Sequence, residues 1–114
     1  MTLDELRTYC LSLNKTTEEL PFDEDTLVFK VLGKMFALTN LENFEFINLK
    51  CNSEKAIKLR EEFMEISPAY HMNKKHWNSV RVDGDISDKQ LKQWITDSYN
   101  LVVANMPKKL KEQL

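Results

Sequence analysis

The feature that most restricts the fold is a pair of β-branched and aromatic runs, TLVFKV at 26–31 and KMFALT at 34–39, with two residues between them. The spacer is Leu32 and Gly33, and the chain has only one other glycine, Gly84. Glycine readily adopts the positive φ that a two-residue hairpin turn requires. The pattern therefore predicts an antiparallel hairpin with Gly33 in its turn.

Three further segments have helical periodicity. Apolar residues recur at steps of three and four, and each run follows a residue that is favoured at helix N-termini. The capping residues are Thr2 with Glu5, Asn52 or Ser53, and Ser87 with Gln90. The predicted helices cover 3–13, 53–65 and 87–105.

Three more runs are typical of strands. FEFINLKC at 44–51 alternates between two faces, and AYHM at 69–72 and HWNSVRVD at 76–83 predict a second hairpin. Residues 14–25 form a polar, acidic connector, in which a short edge strand at 18–22 is one alternative. The order α-β(3)-α-β(2)-α predicts an α+β fold, with one five-stranded antiparallel sheet and helices on one face.

Length and composition limit the class of protein. The chain of 114 residues is 42% hydrophobic and 30% charged, which predicts a single domain over 1–114 with an ordinary core. No uncharged stretch is long enough to span a membrane, and the acidic N-terminus does not resemble a signal peptide. We therefore expect a cytoplasmic protein that makes no membrane contact and whose two cysteines, Cys10 and Cys51, are free thiols.

The net charge of −2 conceals an uneven distribution. Acids dominate residues 1–25, whereas 66–82 contains Lys74, Lys75 and Arg81 and no acid. A local basic patch binds anions even in a chain that is acidic overall. Lysines at 108, 109 and 111 form a second basic cluster, which is also what the dipole of a helix C-terminus favours.

The basic segment is the best candidate for a functional site. Two lysines lie at a predicted hairpin tip, where they can contact phosphates. Amides, a histidine and a tryptophan flank them and can contact the bases beside those phosphates. Alternation along 76–83 places Trp77 and Arg81 on the face away from the core, so we expect both to be exposed. The predicted nucleic-acid-binding residues are Lys50, Asn73, Lys74, Lys75, His76, Trp77, Asn78 and Arg81. A solvated hairpin tip, with Trp77 in the core, is the alternative.

Four ordered blocks of sequence resemble the MmcQ/YjbR family. They are PFDEDTLVFKVLGKMFALT at 21–39, INLKC at 47–51, SPAYHMNKKHWNSV at 67–80 and SYNLVVANMPKKLKEQL at 98–114. The resemblance implies a two-layer α/β fold of the secretion-chaperone-like or CyaY-like kind. It also implies DNA binding through a double wing of β-hairpins.

The sequence contains no recognisable catalytic or metal-binding motif. Two glycines exclude the glycine-rich nucleotide loops, and two histidines with separated cysteines match no structural zinc pattern. A dyad of Cys51 with His71 or His76 lacks an orienting third group. We therefore expect neither an enzyme nor a cofactor. The two leading hypotheses are a DNA-binding module and a protein-interaction or chaperone-like module, and an enzyme is the third, because no set of nucleophile, base and oxyanion hole can be assembled from these motifs.

Overall fold

Six strands form one antiparallel sheet with helices packed against it, and the computed structural model describes all 114 residues. The helices are α1 (Leu3–Ser12), α2 (Ser53–Glu62), α3 (Asp88–Ala104) and α4 (Lys108–Lys111). The strands are β1 (Thr16–Glu19), β2 (Thr26–Val31), β3 (Lys34–Asn40), β4 (Phe46–Lys50), β5 (Ile66–Pro68) and β6 (Trp77–Arg81). They lie in the order β1-β2-β3-β4-β6-β5, and every neighbouring pair is antiparallel. The predicted α+β class with one antiparallel sheet is confirmed.

The three long helices begin where the capping patterns predict. Thr2 and Glu5 exchange two hydrogen bonds of 3.1 Å between side chain and backbone, which is the predicted capping box. Asn52 caps α2, and the Ser87 side chain accepts from the N–H of Gln90 at 3.1 Å to cap α3. None of the helices combines the length and the apolar composition that a membrane crossing requires.

Two predictions about the strands are wrong. The sheet has six strands and not five, because Thr16–Glu19, in the predicted connector, pairs with β2 at the edge of the sheet. The run 69–72 is not a strand, since β5 lies before it and ends at Pro68. There the N–H of Met72 donates to the carbonyl oxygen of Ala69 at 3.0 Å, which closes a turn. The whole segment 69–76 is a loop.

The two faces of the sheet are covered differently. The helices pack on one face and bury the main core, whose largest side chains include Phe29, Phe36 and Ile47. The opposite face, called the open face below, has a smaller buried cluster of Val28, Leu38, Ala69 and Trp77. The loop 69–76 lies over that cluster, and no helix covers this face.

The predicted turn of the first hairpin is confirmed. Leu32 and Gly33 both have positive φ, at 48° and 81°, as the right-handed twist of a two-residue hairpin requires. A Cβ on Gly33 would meet no atom within 4 Å, so any cost of adding one comes from the backbone. We expect Gly33→Ala to lower the free energy of unfolding by about 1 kcal/mol in chemical denaturation.

Gly33→Asn is the matched control for this prediction. A Cβ there meets no atom within 4 Å in either variant, and asparagine adopts positive φ more readily than alanine does. We expect a loss of no more than about 0.5 kcal/mol. Equal losses in Gly33→Ala and Gly33→Asn would contradict the assignment of strain to the hairpin turn.

Candidate functional site

The loop 69–76 carries most of the predicted site residues and has a defined shape. The N–H of His76 donates to the carbonyl oxygen of Asn73 at 3.0 Å, and the Asn73 side chain accepts from the N–H of Lys75 at 3.1 Å. The side chains of Lys74 and Lys75 are exposed, and so is that of His76. Nζ of Lys74 lies 5.1 Å from the centroid of the Tyr70 ring. The loop therefore presents exposed lysine side chains on a backbone that is held by hydrogen bonds.

Asn78, predicted to reach a ligand, is buried on the helical face of the sheet. Its Oδ1 accepts from Nε of Arg60 at 2.7 Å, and its Nδ2 donates to the carbonyl oxygen of Ala56 at 3.3 Å. Arg60 also donates from its Nη2 to the carbonyl oxygen of Lys74. Asn78 and Arg60 thus hold the lysine-bearing loop from inside the fold, and Asn78 has no free polar edge for a ligand.

The expectation that Trp77 is exposed is wrong. Its side chain points away from the main core, as the alternation predicts, but only 7% of the residue is accessible. It packs with Val28 and Leu38, and the partly buried Met35 and Met72 lie against the same cluster. The loop covers this face, which a pattern of alternation does not reveal. Trp77 is part of the fold and offers no stacking surface.

Arg81 lies apart from the lysines. It ends β6 four residues after Trp77, which corresponds to about 13 Å along a strand. Its guanidinium donates two hydrogen bonds to the Asp83 carboxylate, at 2.9 and 2.8 Å, and stacks on Phe46 with 5.0 Å to the ring centroid. The hydrogen bonds raise the pKa of Arg81 and lower the pKa of Asp83. The positive charge of Arg81, which was expected to contribute to a basic patch, is therefore compensated by the negative charge of Asp83.

The register of the sheet gathers lysines from distant segments at one end. Lys50 pairs with Trp77 and Lys34 with Val31, while the carbonyl oxygen of Lys15 accepts from the hairpin turn. The loop with Lys74 and Lys75 joins β5 to β6 at this same end. None of these five lysines is in an ion pair. The lysine rim is defined as Lys15, Lys34, Lys50, Lys74 and Lys75.

No acidic residue lies in the segments that form this end of the sheet, which are 13–15, 32–34, 50–52 and 69–76. The sequence pattern identified three members of the lysine rim, Lys50, Lys74 and Lys75, but missed Lys15 and Lys34. Those two are isolated in sequence, and only the antiparallel pairing brings them to the others.

The other end of the sheet has the opposite charge. Its connections are 20–25, 41–45, 63–65 and 82–87, and they contain acids but no lysine or arginine. The acidic rim is defined as Asp23, Glu24, Asp25, Glu42, Glu45, Glu65, Asp83 and Asp85. Backbone and side-chain hydrogen bonds from residues 25 and 26 lower the pKa of Asp23, so that carboxylate stays ionised. The molecule is therefore electrically polar along its strands.

A groove of about 800 Å³ lies on the open face between the two rims. Its lining is mostly uncharged, with asparagines, hydroxyls, methionines and two phenylalanines; the ionisable residues are Asp23, Glu45 and His71. Asn48 and Ser79 share a hydrogen bond in it. Asn73 also lines the groove and is adjacent in sequence to Lys74.

The cysteines do not form a reactive centre in this structure. Both are unpaired, and burial raises the pKa of each thiol. The Cys51 thiol makes no hydrogen bond to the side chain of His71 or His76; the N–H of Cys51 donates to the carbonyl oxygen of His76 at 2.7 Å, which is a contact between backbones. The structure also contains no group of three or more His, Cys, Asp or Glu side chains arranged to hold a metal ion. The lysine rim, in contrast, is suited to binding an anion at its end of the sheet.

Comparison with known proteins places this chain among uncharacterized bacterial relatives. The family model described as YjbR matches residues 11–101. The uncharacterized protein YjbR of Escherichia coli strain K12 is 30% identical over 115 residues, covering 100% of this chain and 98% of the relative. The uncharacterized protein YbdF of Escherichia coli O157:H7 is 43% identical over 90 residues, covering 78% of this chain and 74% of the relative.

Solved structures share the fold. The crystal structure of Deinococcus radiodurans protein DR2400 superposes with a TM-score of 0.91 at 38% identity, covering 98% of this chain and 86% of that one. A structural genomics target from Pseudomonas syringae gives a TM-score of 0.76 at 29% identity, with coverage of 90% and 99%.

Proposed function

The chain belongs to the YjbR family, and from this premise we propose that it is a small DNA-binding protein that holds phosphates on its lysine rim. The observation that carries the proposal is a row of five lysines at one end of the sheet, none of them in an ion pair, in segments that contain no acid. Contacts to phosphates fix position without reading sequence, so we expect similar affinity for unrelated sequences.

The dimensions of the rim suit a nucleic-acid backbone. From β1, beside Lys15, to β6, beside Lys75, there are four steps between strands, or about 19 Å. Duplex DNA carries one charge per about 1.7 Å of its axis, so about eleven phosphates lie within that length. Five lysines on this span meet several phosphates at once.

The polarity of the molecule supports a fixed orientation on the polyanion. The lysine rim attracts a phosphate backbone, while the acidic rim at the other end of the strands repels it. Arg60 donates to the carbonyl oxygen of Lys74, and the Asn73 side chain accepts from the N–H of Lys75. These bonds keep the loop backbone in place before binding, which reduces the entropic cost of association. Asn73 and His76 are exposed next to the lysines and are the side chains proposed to contact sugars or bases.

The double variant Lys74→Glu with Lys75→Glu tests the proposal. Both side chains are exposed and neither is in an ion pair, so the fold should survive with a stability change of about 0.5 kcal/mol or less. Loss of two phosphate contacts should weaken duplex binding at least about tenfold at 0.1 M salt. Fluorescence anisotropy with two unrelated duplexes measures both the loss and its independence of sequence.

A control variant with the same change in charge separates a local contact from a general effect of net charge. Lys58 in α2 and Lys89 in α3 are exposed on the helical side of the sheet. Lys58→Glu with Lys89→Glu should retain affinity within about threefold. Equal losses in the two double variants contradict the lysine rim as the binding site. Absence of duplex binding by the wild-type protein at low salt contradicts the proposed function and favours a protein-interaction module.

A further inference from the structure

The groove on the open face begins next to the lysine rim and ends at the acidic rim. Met72 and Asn73 form its wall beside the lysines, whereas Asp23 and Glu45 lie at its far end. The space between them, about 800 Å³ in total, has the size of a small-molecule site and contains no lysine or arginine. The anionic part of a ligand in the groove is therefore attracted to the end beside the lysines and repelled from the end with Asp23 and Glu45.

At the floor of the groove, Asn48 has an amide donor that lacks a strong partner. Its Nδ2 donates to Sδ of Met72 at 3.8 Å, and a thioether sulfur is a weak acceptor. Its Oδ1 accepts from the Ser79 hydroxyl, which fixes the orientation of the amide. An oxygen or ring nitrogen of a ligand would be a better acceptor for this donor than the sulfur.

The apolar surroundings of this amide suit a flat ring. Leu38 and Met72 line the groove together with Asn48, and methionine sulfur makes favourable contacts with aromatic rings. Alternation along β4 places Lys50 on the same face as Asn48, two residues further on, so the two Cα atoms are about 6.6 Å apart. A phosphate attached to a ring at Asn48 is therefore within reach of the long Lys50 side chain.

We propose that the groove receives an unpaired nucleobase, while the phosphate of the same nucleotide lies on the lysine rim. This inference rests on the proposed function and specifies its substrate as single-stranded or locally unpaired DNA. The carboxylates of Asp23 and Glu45 prevent the phosphate backbone from continuing along the groove. The strand therefore crosses the lysine rim and inserts a base toward the acidic end.

Base pairing makes the proposal testable. In a duplex the bases are paired through their edges and stacked on their faces, so none is free to enter the groove. Only the lysine rim then contributes to the binding affinity. Contacts to phosphates alone favour the duplex, because the charge density of a single strand is lower. A higher affinity for the single strand than for the duplex would therefore come from contacts in the groove and not from the lysines.

The experiment compares wild type with Asn48→Leu, which keeps the net charge and the approximate side-chain volume but removes the amide. We expect wild type to bind a single-stranded oligonucleotide at least about fivefold more tightly than the duplex of the same sequence, because stacking and one hydrogen bond are added. Asn48→Leu should lose that preference and keep its duplex affinity within about twofold. Retained duplex affinity also shows that the variant is folded.

The outcomes distinguish this inference from the proposed function. Equal affinity of wild type for both forms contradicts base binding in the groove, and so does a preference for the single strand that persists in Asn48→Leu. Either result leaves phosphate binding on the lysine rim unaffected. No binding of either form at low salt overturns the proposed function itself. A third arm uses a deoxynucleoside monophosphate: binding much weaker than that of the strand supports the strand as ligand, whereas equal binding overturns it in favour of a free nucleotide.

Discussion

Replacing Trp77 with alanine is expected to lower the free energy of unfolding by about 3 to 5 kcal/mol. Only 7% of Trp77 is accessible, and it is the largest member of the cluster that seals the open face with Val28, Leu38 and Ala69. Removing the indole leaves a cavity between the sheet and the loop 69–76. Urea denaturation followed by circular dichroism measures the loss.

Tyr70→Ala is the matched aromatic control, because Tyr70 lies in the same loop but is 69% exposed. It should change stability by no more than about 0.5 kcal/mol. Trp77→Phe, which keeps a ring in the cavity, provides a second comparison if the alanine variant fails to fold, and its loss should be intermediate. A loss for Trp77→Ala as small as that of Tyr70→Ala would show that Trp77 is exposed after all.

Replacing Ser98 with alanine is expected to lower the free energy of unfolding by about 3 kcal/mol. The ladder between β3 and β4 stops at the pair Ala37↔Leu49, because β3 bulges at Phe36. The fully buried Ser98 hydroxyl on α3 bridges the gap: it donates to the carbonyl oxygen of Phe36 at 2.6 Å and accepts from the N–H of Lys50 at 2.9 Å. Alanine leaves two backbone groups unsatisfied.

Ser12→Ala is the control for the same change of residue. Ser12 is exposed at the end of α1, and its hydroxyl donates only to the carbonyl oxygen of Tyr9. Its loss should stay within about 0.5 kcal/mol. A comparable loss in the two variants would mean that the bridge between β3 and β4 contributes little.

Local patterns predicted most of the secondary structure. Capping residues and apolar periodicity placed the three long helices, and the Leu32–Gly33 spacer placed the first hairpin. Alternation along β4 separated Ile47 and Leu49 from Asn48 and Lys50, as their burial confirms. These predictions succeeded because each depends on residues that are neighbours in sequence.

The wrong predictions depend on contacts between distant segments. β1 is short and polar, and it is a strand because β2 offers an open edge. The burial of Trp77 depends on a loop that folds over the open face, and that of Asn78 depends on Arg60 and Ala56 from α2. No periodicity along β6 contains that information.

The candidate site was predicted only in part for the same reason. The acid-free run 66–82 identified Lys74 and Lys75, but the lysine rim exists because antiparallel register places the ends of five strands together. The groove likewise combines residues from the connector before β2, from four strands, from the connection between β3 and β4 and from the loop 69–76. Neither feature is visible until the sheet is assembled.

The salt dependence of duplex binding tests the lysine rim most directly. If about four phosphates are neutralised, the logarithm of the association constant should fall against the logarithm of salt concentration with a slope of about −3.6. The variant Lys74→Glu with Lys75→Glu should flatten that slope by about two units, while Lys58→Glu with Lys89→Glu should leave it unchanged. A wild-type slope near zero, or the same slope in all three proteins, would contradict phosphate binding at this end of the sheet.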